Sequence, residues 1–145
     1  HIDNHINVEH MVPQCSSYQY FKGVLDDKSK AVFSGRVVVH KDAQKTIAHQ
    51  SDKNLILSQG ARINTKPSLE IFADDVECTH GATAGSVAED ALFYMRSRGI
   101  DEKTAKQILI SGFAAEIVED ISIDSFKTYL TKMISQTLSG PLIAA

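Results

Sequence analysis

The feature that most constrains the fold is a change of sequence pattern near residue 85. Before this point, short β-branched or aromatic runs alternate with turn-prone residues, and no amphipathic helical period continues across the region. After it, apolar residues recur at helical spacing. Strands followed by helices, without alternation, predict segregated layers and argue against a doubly wound sheet. We therefore expect a mainly β domain at 1–85 and a small C-terminal helical domain at 86–145.

The strand-like runs are joined by polar segments of uneven length, which leaves a sandwich, a barrel or a β-helix open. Sandwich strands are commonly separated by hairpin signals such as Asn-Gly, and the sequence contains none. The uneven connections favour the coils of a parallel β-helix, although no repeat is strong enough to decide. The runs lie at 18–21, 31–33, 36–39, 55–57, 69–72 and 75–78.

Three helices are predicted in the second part. A capping-box pattern at 86–89 opens the first helix, and Gly99 is placed to end it. Asp101 caps the second helix, and the third begins at 122–124 and ends at Gly140-Pro141. Three helices beside a separate strand body carry more apolar helix surface than the fragment can bury. This predicts an exposed groove that docks another protein.

Composition argues against several classes of partner. The chain has 145 residues and a formal charge of −3, so it has no electrostatic reason to bind nucleic acid or an anionic membrane. No apolar stretch approaches the roughly 20 residues of a membrane span. Two cysteines, Cys15 and Cys78, are too few for a disulfide framework, which predicts free thiols in a reducing compartment. Because the sequence opens at His1 in strand-like sequence, we expect it to be the C-terminal part of a longer protein.

The strongest candidate for chemistry is the segment around Cys78 and His80, at the junction of the two parts. In an extended strand, both side chains point to one face, roughly 7 Å apart. Thiolate and imidazole are ligands that suit iron, zinc or copper(I). A tetrahedral site needs four ligands, and the chain offers no CxxC or HxxxH motif nearby, so further ligands would come from another chain. The alternative is that Cys78 is a small buried apolar residue and His80 hydrogen-bonds the loop.

The remaining histidines and a hydrolase-like arrangement are weaker candidates. A nucleophile could be drawn from Cys15, Ser16 or Ser17 with a histidine and an aspartate, but no G-x-S-x-G context supports a triad. A Walker A loop and a G-x-G-x-x-G motif are absent from the sequence, which argues against nucleotide binding by this chain. Solvent-facing or loop positions are the simpler interpretation for the other histidines, namely His1, His5, His10, His40 and His49.

Several segments, in collinear order, resemble the SufB/SufD family of iron–sulfur cluster assembly proteins. They are AVFSG at 31–35, QKT at 44–46 with Gln50, NLILS at 54–58, TKPSLEIFADDVECTHGAT at 65–83 and FYMRSRGI at 93–100. The resemblance extends from about Val8 to Thr137. The pair His80-Gly81 is similar to SufD-type members, whereas SufB-type members usually carry glutamate in place of that glycine.

The resemblance implies a right-handed parallel β-helix at 1–85, as the last part of a longer β-helix core, followed by the helical domain. It implies a non-enzymatic, cytoplasmic scaffold subunit of a SufBCD-type complex, with no tightly bound cofactor in the isolated chain. A transient iron–sulfur cluster or iron would be held in the complex. Alternatives are a SufB-type paralogue or a stand-alone metal-binding β-helix protein.

The resemblance also implies partners and sites. The β-helix would pair with a SufB-like subunit, and two copies of the chain could pair in its absence. The histidine that matches His80 would lie at that interface, where a nascent cluster is built, with Cys78 as a further candidate ligand. The helical domain would dock a SufC-like ATPase, with candidate contacts at Phe93, Arg96, Arg98 and Phe113.

Overall fold

The structure, a computed structural model, describes residues 1–138, which form six β-strands followed by three α-helices. The strands alternate between two three-stranded sheets, with the orders β1-β3-β5 and β2-β4-β6. The element bounds are β1 (Ile2–His10), β2 (Ser16–Leu25), β3 (Lys30–Val39), β4 (Ile47–Ile56), β5 (Arg62–Ile71), β6 (Glu77–Gly85), α1 (Glu89–Ser97), α2 (Glu102–Glu119) and α3 (Asp124–Leu138).

Every strand pairing in the two sheets is parallel, and each of β1 to β4 pairs with the strand two places further along the chain. The register places Gln19 opposite Gln50, and Gln50 opposite His80. The chain therefore rises through three levels, each made of one strand from either sheet, and β5 and β6 form the last level. The prediction of parallel strands followed by helices is confirmed, and the antiparallel sandwich alternative is wrong.

Small and β-branched apolar residues fill one end of the space between the sheets. The core there consists of Val37, Val39, Ala43, Ala48 and Ala73, each buried to at least nine-tenths. The side chains come from both sheets and from the connections between strands. Burial of such apolar surface is the main force that holds parallel strands with no hairpin contacts together.

Polar side chains fill another part of the same interior. Gln50, Asp52 and Asn54 are buried on one face of β4, since alternate residues of a strand share a face. Two glycines provide the space for them. A Cβ at Gly35 would lie 2.4 Å from Gln50 Nε2, and a Cβ at Gly23 would lie 2.3 Å from Asn54 Oδ1.

The helices pack against the second sheet through α2. Lys22 on β2 has a side chain only 3% exposed, and its ammonium donates to the Phe113 carbonyl at 2.7 Å and to the Glu116 carboxylate. Tyr20 Oη donates to Glu116 at 2.8 Å. These bonds lower the pKa of Glu116 to about 2, because they stabilise the charged carboxylate. The bond from Lys22 has the larger effect and the bond from Tyr20 the smaller.

A second apolar cluster supports the same junction. Leu55 at the end of β4 packs with Ile110 of α2 and Leu138 of α3, and all three are buried. The helical part is therefore fixed to the strand part by both apolar and charged contacts.

The helix ends agree with the sequence analysis at most positions. The Asp101 carboxylate accepts from the Thr104 backbone N–H at 3.0 Å, and Gly99 adopts a φ of 85° just after α1. The predicted capping box at 86–89 is wrong. β6 ends at Gly85 and α1 begins at Glu89, with Ala88 in the N-cap position and no side-chain cap. The predicted end of the third helix, at Gly140-Pro141, lies outside the described residues.

Candidate interface site at the edge of the second sheet

The site begins with β6, which is the terminal strand of its sheet. One edge of β6 pairs with β4, and no strand within residues 1–138 pairs with its other edge. His80 lies in the middle of β6 and is exposed. Its ring makes no hydrogen bond or ion pair within the described residues. An exposed imidazole on an unpaired strand edge is open to a group supplied by another chain.

Cys78 shares the face of β6 on which His80 lies, as the sequence analysis predicted, but its environment differs. It is half-buried and packs against the core cluster that contains Val39 and Ala48. Burial raises the pKa of the Cys78 thiol above its ordinary value. Because the thiolate is the form that ligates metals, this environment disfavours Cys78 as a ligand relative to His80.

The potential metal ligands of the described residues are not clustered. No group of three or more His, Cys, Asp or Glu side chains within 1–138 has a geometry that could hold a metal. His80 is thus an exposed imidazole two residues from a half-buried thiol whose pKa is raised by burial. A tetrahedral iron or cluster site at this edge would take its remaining ligands from another chain or from the cargo itself.

Each of the other internal histidines has a partner. His49 Nδ1 lies 2.7 Å from Thr79 Oγ1, on the opposite face of β6 from His80, and its ring stacks on Tyr18. His40 Nε2 lies 3.2 Å from a carboxylate oxygen of Glu9.

His10 is buried and its Nε2 lies 2.9 Å from Ser17 Oγ. Burial lowers the pKa of His10, which favours the neutral ring. This contact brings together two members of the hydrolase-like set. No carboxylate is hydrogen-bonded to His10 anywhere in 1–138, so the third member of a triad is not assembled.

The four residues named for partner binding fall into two groups. Phe93 is 74% exposed on α1, Arg96 forms an ion pair with Glu102 at 3.4 Å, and Arg98 lies over the Tyr94 ring at 5.3 Å. All three residues are exposed, on α1 or at its C-terminal end. Phe113 is half-buried instead, with its ring 4.2 Å from Lys22 Nζ, so it contributes to the junction between α2 and β2.

Further exposed apolar residues lie on α3 and immediately before it. The sequence analysis predicted unburied apolar stripes, and the structure leaves them exposed at Ile123, Phe126, Tyr129 and Met133. Contiguous apolar residues on the surface of a small protein commonly mark a protein interaction site.

A cleft of about 370 Å³ lies where β4 and β6 end against α2. Its walls include Leu55, Val87, Leu109 and Phe113, together with the backbone of 83–85. None of its lining residues carries a charged side chain, and the only hydroxyl groups in the lining are those of Thr83 and Ser86.

Residues 1–113 match the family described as "SUF system FeS cluster assembly, SufBD core domain". The chain belongs to this family. It is 41% identical to iron-sulfur cluster assembly protein SufD of Escherichia coli over 133 residues, which cover 92% of this chain and 31% of that protein. It is 43% identical over 133 residues to a SufBD family protein of Synechocystis, covering 92% of this chain and 29% of that protein.

A further relative extends the similarity to plants. Protein ABCI7, chloroplastic, of Arabidopsis thaliana is 45% identical over 108 residues, which cover 74% of this chain and 23% of that protein. The chain thus spans about a third or less of the length of these SufBD-family relatives. Within residues 1–138, no helix combines the length and hydropathy required to cross a membrane.

Two features of this SufBD-family site were missed by the sequence analysis. One is the Lys22–Glu116 pair, which joins residues 94 positions apart and leaves no local pattern. The other is the buried polar face of β4. The sequence at 49–54 is polar at every position, so no alternation marks Gln50, Asp52 and Asn54 as an inward-facing set.

Proposed function

We propose that this chain is part of a non-enzymatic, SufD-type scaffold subunit for iron–sulfur cluster assembly, in which His80 lends one ligand at an interface with a SufB-like subunit. The observation that carries the proposal is the exposed His80 on the unpaired edge of β6, in a member of the SufBD core-domain family. The iron or cluster is cargo, held for a time between chains.

The fold proposed for this role is a right-handed parallel β-helix, of which the three levels form the last part. Parallel strands that alternate between two sheets support it, because the connections between parallel strands are right-handed in nearly all proteins. Such a stack has open edges at its last level, on β5 and β6. These edges expose unpaired backbone N–H and C=O groups that the strands of a second subunit could satisfy.

The shortage of ligands supports an interface in preference to a site within one chain. His80 is exposed, whereas burial of Cys78 raises the pKa of its thiol. A cluster bound weakly by one side chain from each subunit can be released, which a carrier of transient cargo requires.

The helical part is proposed to dock a SufC-like ATPase. The exposed ring of Phe93, the guanidinium groups of Arg96 and Arg98, and the apolar face of α3 provide a mixed apolar and cationic surface. Aromatic and arginine residues dominate the energetics of many protein interfaces. Since α2 is fixed to β2 through Lys22 and Glu116, a force on the helices would reach the second sheet. The complex is proposed to be cytoplasmic.

Co-expression of the full-length protein with SufB-like and SufC-like subunits tests the assignment. The tagged protein should retain both partners, and F93A/R96A should lose the ATPase while keeping the SufB-like subunit. Loss of neither partner in that variant would contradict docking through α1. A preparation that retains no partner at all would contradict the scaffold role.

The role of His80 has its own test in cells that depend on this pathway. H80A should abolish or strongly reduce maturation of iron–sulfur enzymes, with normal amounts of the assembled complex. H49A is the matched control, because His49 lies on the neighbouring strand and faces Thr79 on the other side of β6. Equal maturation in H80A and wild type would remove the ligand role.

A further inference from the structure

Gln50 is placed where it can control the His80 ring. The two residues are register partners on the adjacent strands β4 and β6, about 4.8 Å apart. They share the face that points into the space between the sheets, since Gln50 is 3% exposed and alternates with buried neighbours on β4. Gln50 Oε1 is buried and has no hydrogen-bond partner in the structure.

The orientation of the Gln50 amide is fixed from the opposite side. Gln50 Nε2 donates to Gln19 Oε1 on β2 at 2.7 Å. Because Oε1 and Nε2 diverge from the same amide carbon, holding Nε2 toward β2 leaves Oε1 toward β6. Gly35 keeps room for this amide, since a Cβ there would lie 2.4 Å from Nε2.

We propose that Gln50 is a positioning residue for His80, which deepens the proposed function and rests on it. Rotation of the exposed His80 side chain lets one ring N–H donate to Gln50 Oε1, without movement of the backbone. The bond satisfies a buried acceptor that is otherwise unpaired. It also fixes one neutral tautomer and leaves the other ring nitrogen unprotonated and free to ligate, as partners behind metal-bound histidines do.

The row Gln19–Gln50–His80 thus acts as a hydrogen-bonded ladder across the second sheet. Each member lies on a different level and contacts the next through its side chain. The ladder holds the ring of the terminal member in place before any partner subunit arrives, which reduces the ordering that ligand binding would otherwise require.

Tautomer-resolved NMR of the chain tests this proposal. Long-range ¹H–¹⁵N spectra at about pH 8.5, well above the ordinary histidine pKa, distinguish the two neutral tautomers of each ring. The wild-type His80 ring should show a single tautomer. The variant Q50M keeps an unbranched side chain of similar length without the acceptor, and should show a mixture of both tautomers.

Two controls make the result specific. His49 lies 2.7 Å from Thr79, the residue before His80, so its signals report whether β6 stays in place. G35A displaces the Gln50 amide while keeping its chemistry, and should also mix the His80 tautomers. A change confined to His80 in either variant supports the ladder. Unchanged His80 signals, or changes that occur only together with His49, would overturn it.

This readout separates the inference from the proposed function. H80A in cells measures whether the ring is needed at all, whereas the tautomer pattern measures what orients it. Loss of maturation in H80A with unchanged tautomers in Q50M would refute the positioning role alone.

Discussion

Adding one methyl group at Gly35 should destabilise the chain substantially. The new Cβ would lie 2.4 Å from Gln50 Nε2 and 2.7 Å from Phe33 Cζ, both closer than van der Waals contact allows. The φ of Gly35 is outside the left-handed region, so the effect comes from space alone. The Gln50 amide can move, but the Phe33 ring is 3% exposed and has little freedom.

The expected cost is the sum of two effects. Overpacking of a filled interior costs about 1–3 kcal/mol. Displacing Gln50 also breaks its 2.7 Å hydrogen bond to Gln19, which contributes about 1 kcal/mol. The free energy of unfolding should therefore fall by about 2–4 kcal/mol. For a chain of this size each kcal/mol shifts the melting temperature by about 4 °C, so Tm should fall by about 8–16 °C.

The same substitution at Gly112 provides the control. A Cβ there meets no atom within 4 Å, and Gly112 lies inside α2. Replacing glycine by alanine within a helix contributes about 1 kcal/mol, so G112A should raise Tm by about 4 °C. Calorimetry and urea unfolding measure both variants. If the Tm of G35A equals or exceeds that of the wild type, then the interior does not place Gln50 against Gly35, and the predicted steric clash is refuted.

Two further predictions concern charge and thiol chemistry. The carboxyl pKa of Glu116 is lowered from 4.5 to about 2, so its pairing with Lys22 stabilises the chain above pH 4.5 and is lost as pH falls toward 2. Thermal melts should show E116Q less stable than wild type at neutral pH, with the gap closing across that window; a constant gap would contradict the pair. Burial raises the pKa of the Cys78 thiol. In the variant C15A, where Cys78 is the remaining cysteine, iodoacetamide at pH 8 should therefore label Cys78 more slowly than it labels an exposed cysteine in a peptide. Mass spectrometry measures both rates. Labelling at the peptide's rate would contradict the burial.

Element types could be predicted because they depend on local signals. The run at 31–39 is rich in β-branched residues and forms β3. Asp101 caps α2, as its position in the sequence predicted. The resemblance at 65–83 identified the segment that carries His80. The first helix begins later than predicted, since Ala88 and not Ser86 takes the N-cap position and no side chain caps α1.

The interior could not be predicted because its contacts are long-range. Gln50 and Gln19 are 31 residues apart, and the sequence carries no signal that they face each other. The consecutive polar residues at 49–54 of β4 give no sign that every second one is buried between the sheets. The difference between Cys78 and His80 arises in the same way, because both lie on one face of β6 and only Cys78 reaches the packed core.

Photo-crosslinking tests directly whether His80 lies at an interface with a second subunit. A photo-crosslinking amino acid is placed at His80 in the full-length protein, co-expressed with its SufB-like and SufC-like partners, and irradiated. A second protein carries the same group at Lys41, an exposed position in the connection between β3 and β4. We expect a covalent adduct with the SufB-like subunit from position 80 and none from position 41. An intact complex without an adduct from position 80 would contradict the interface.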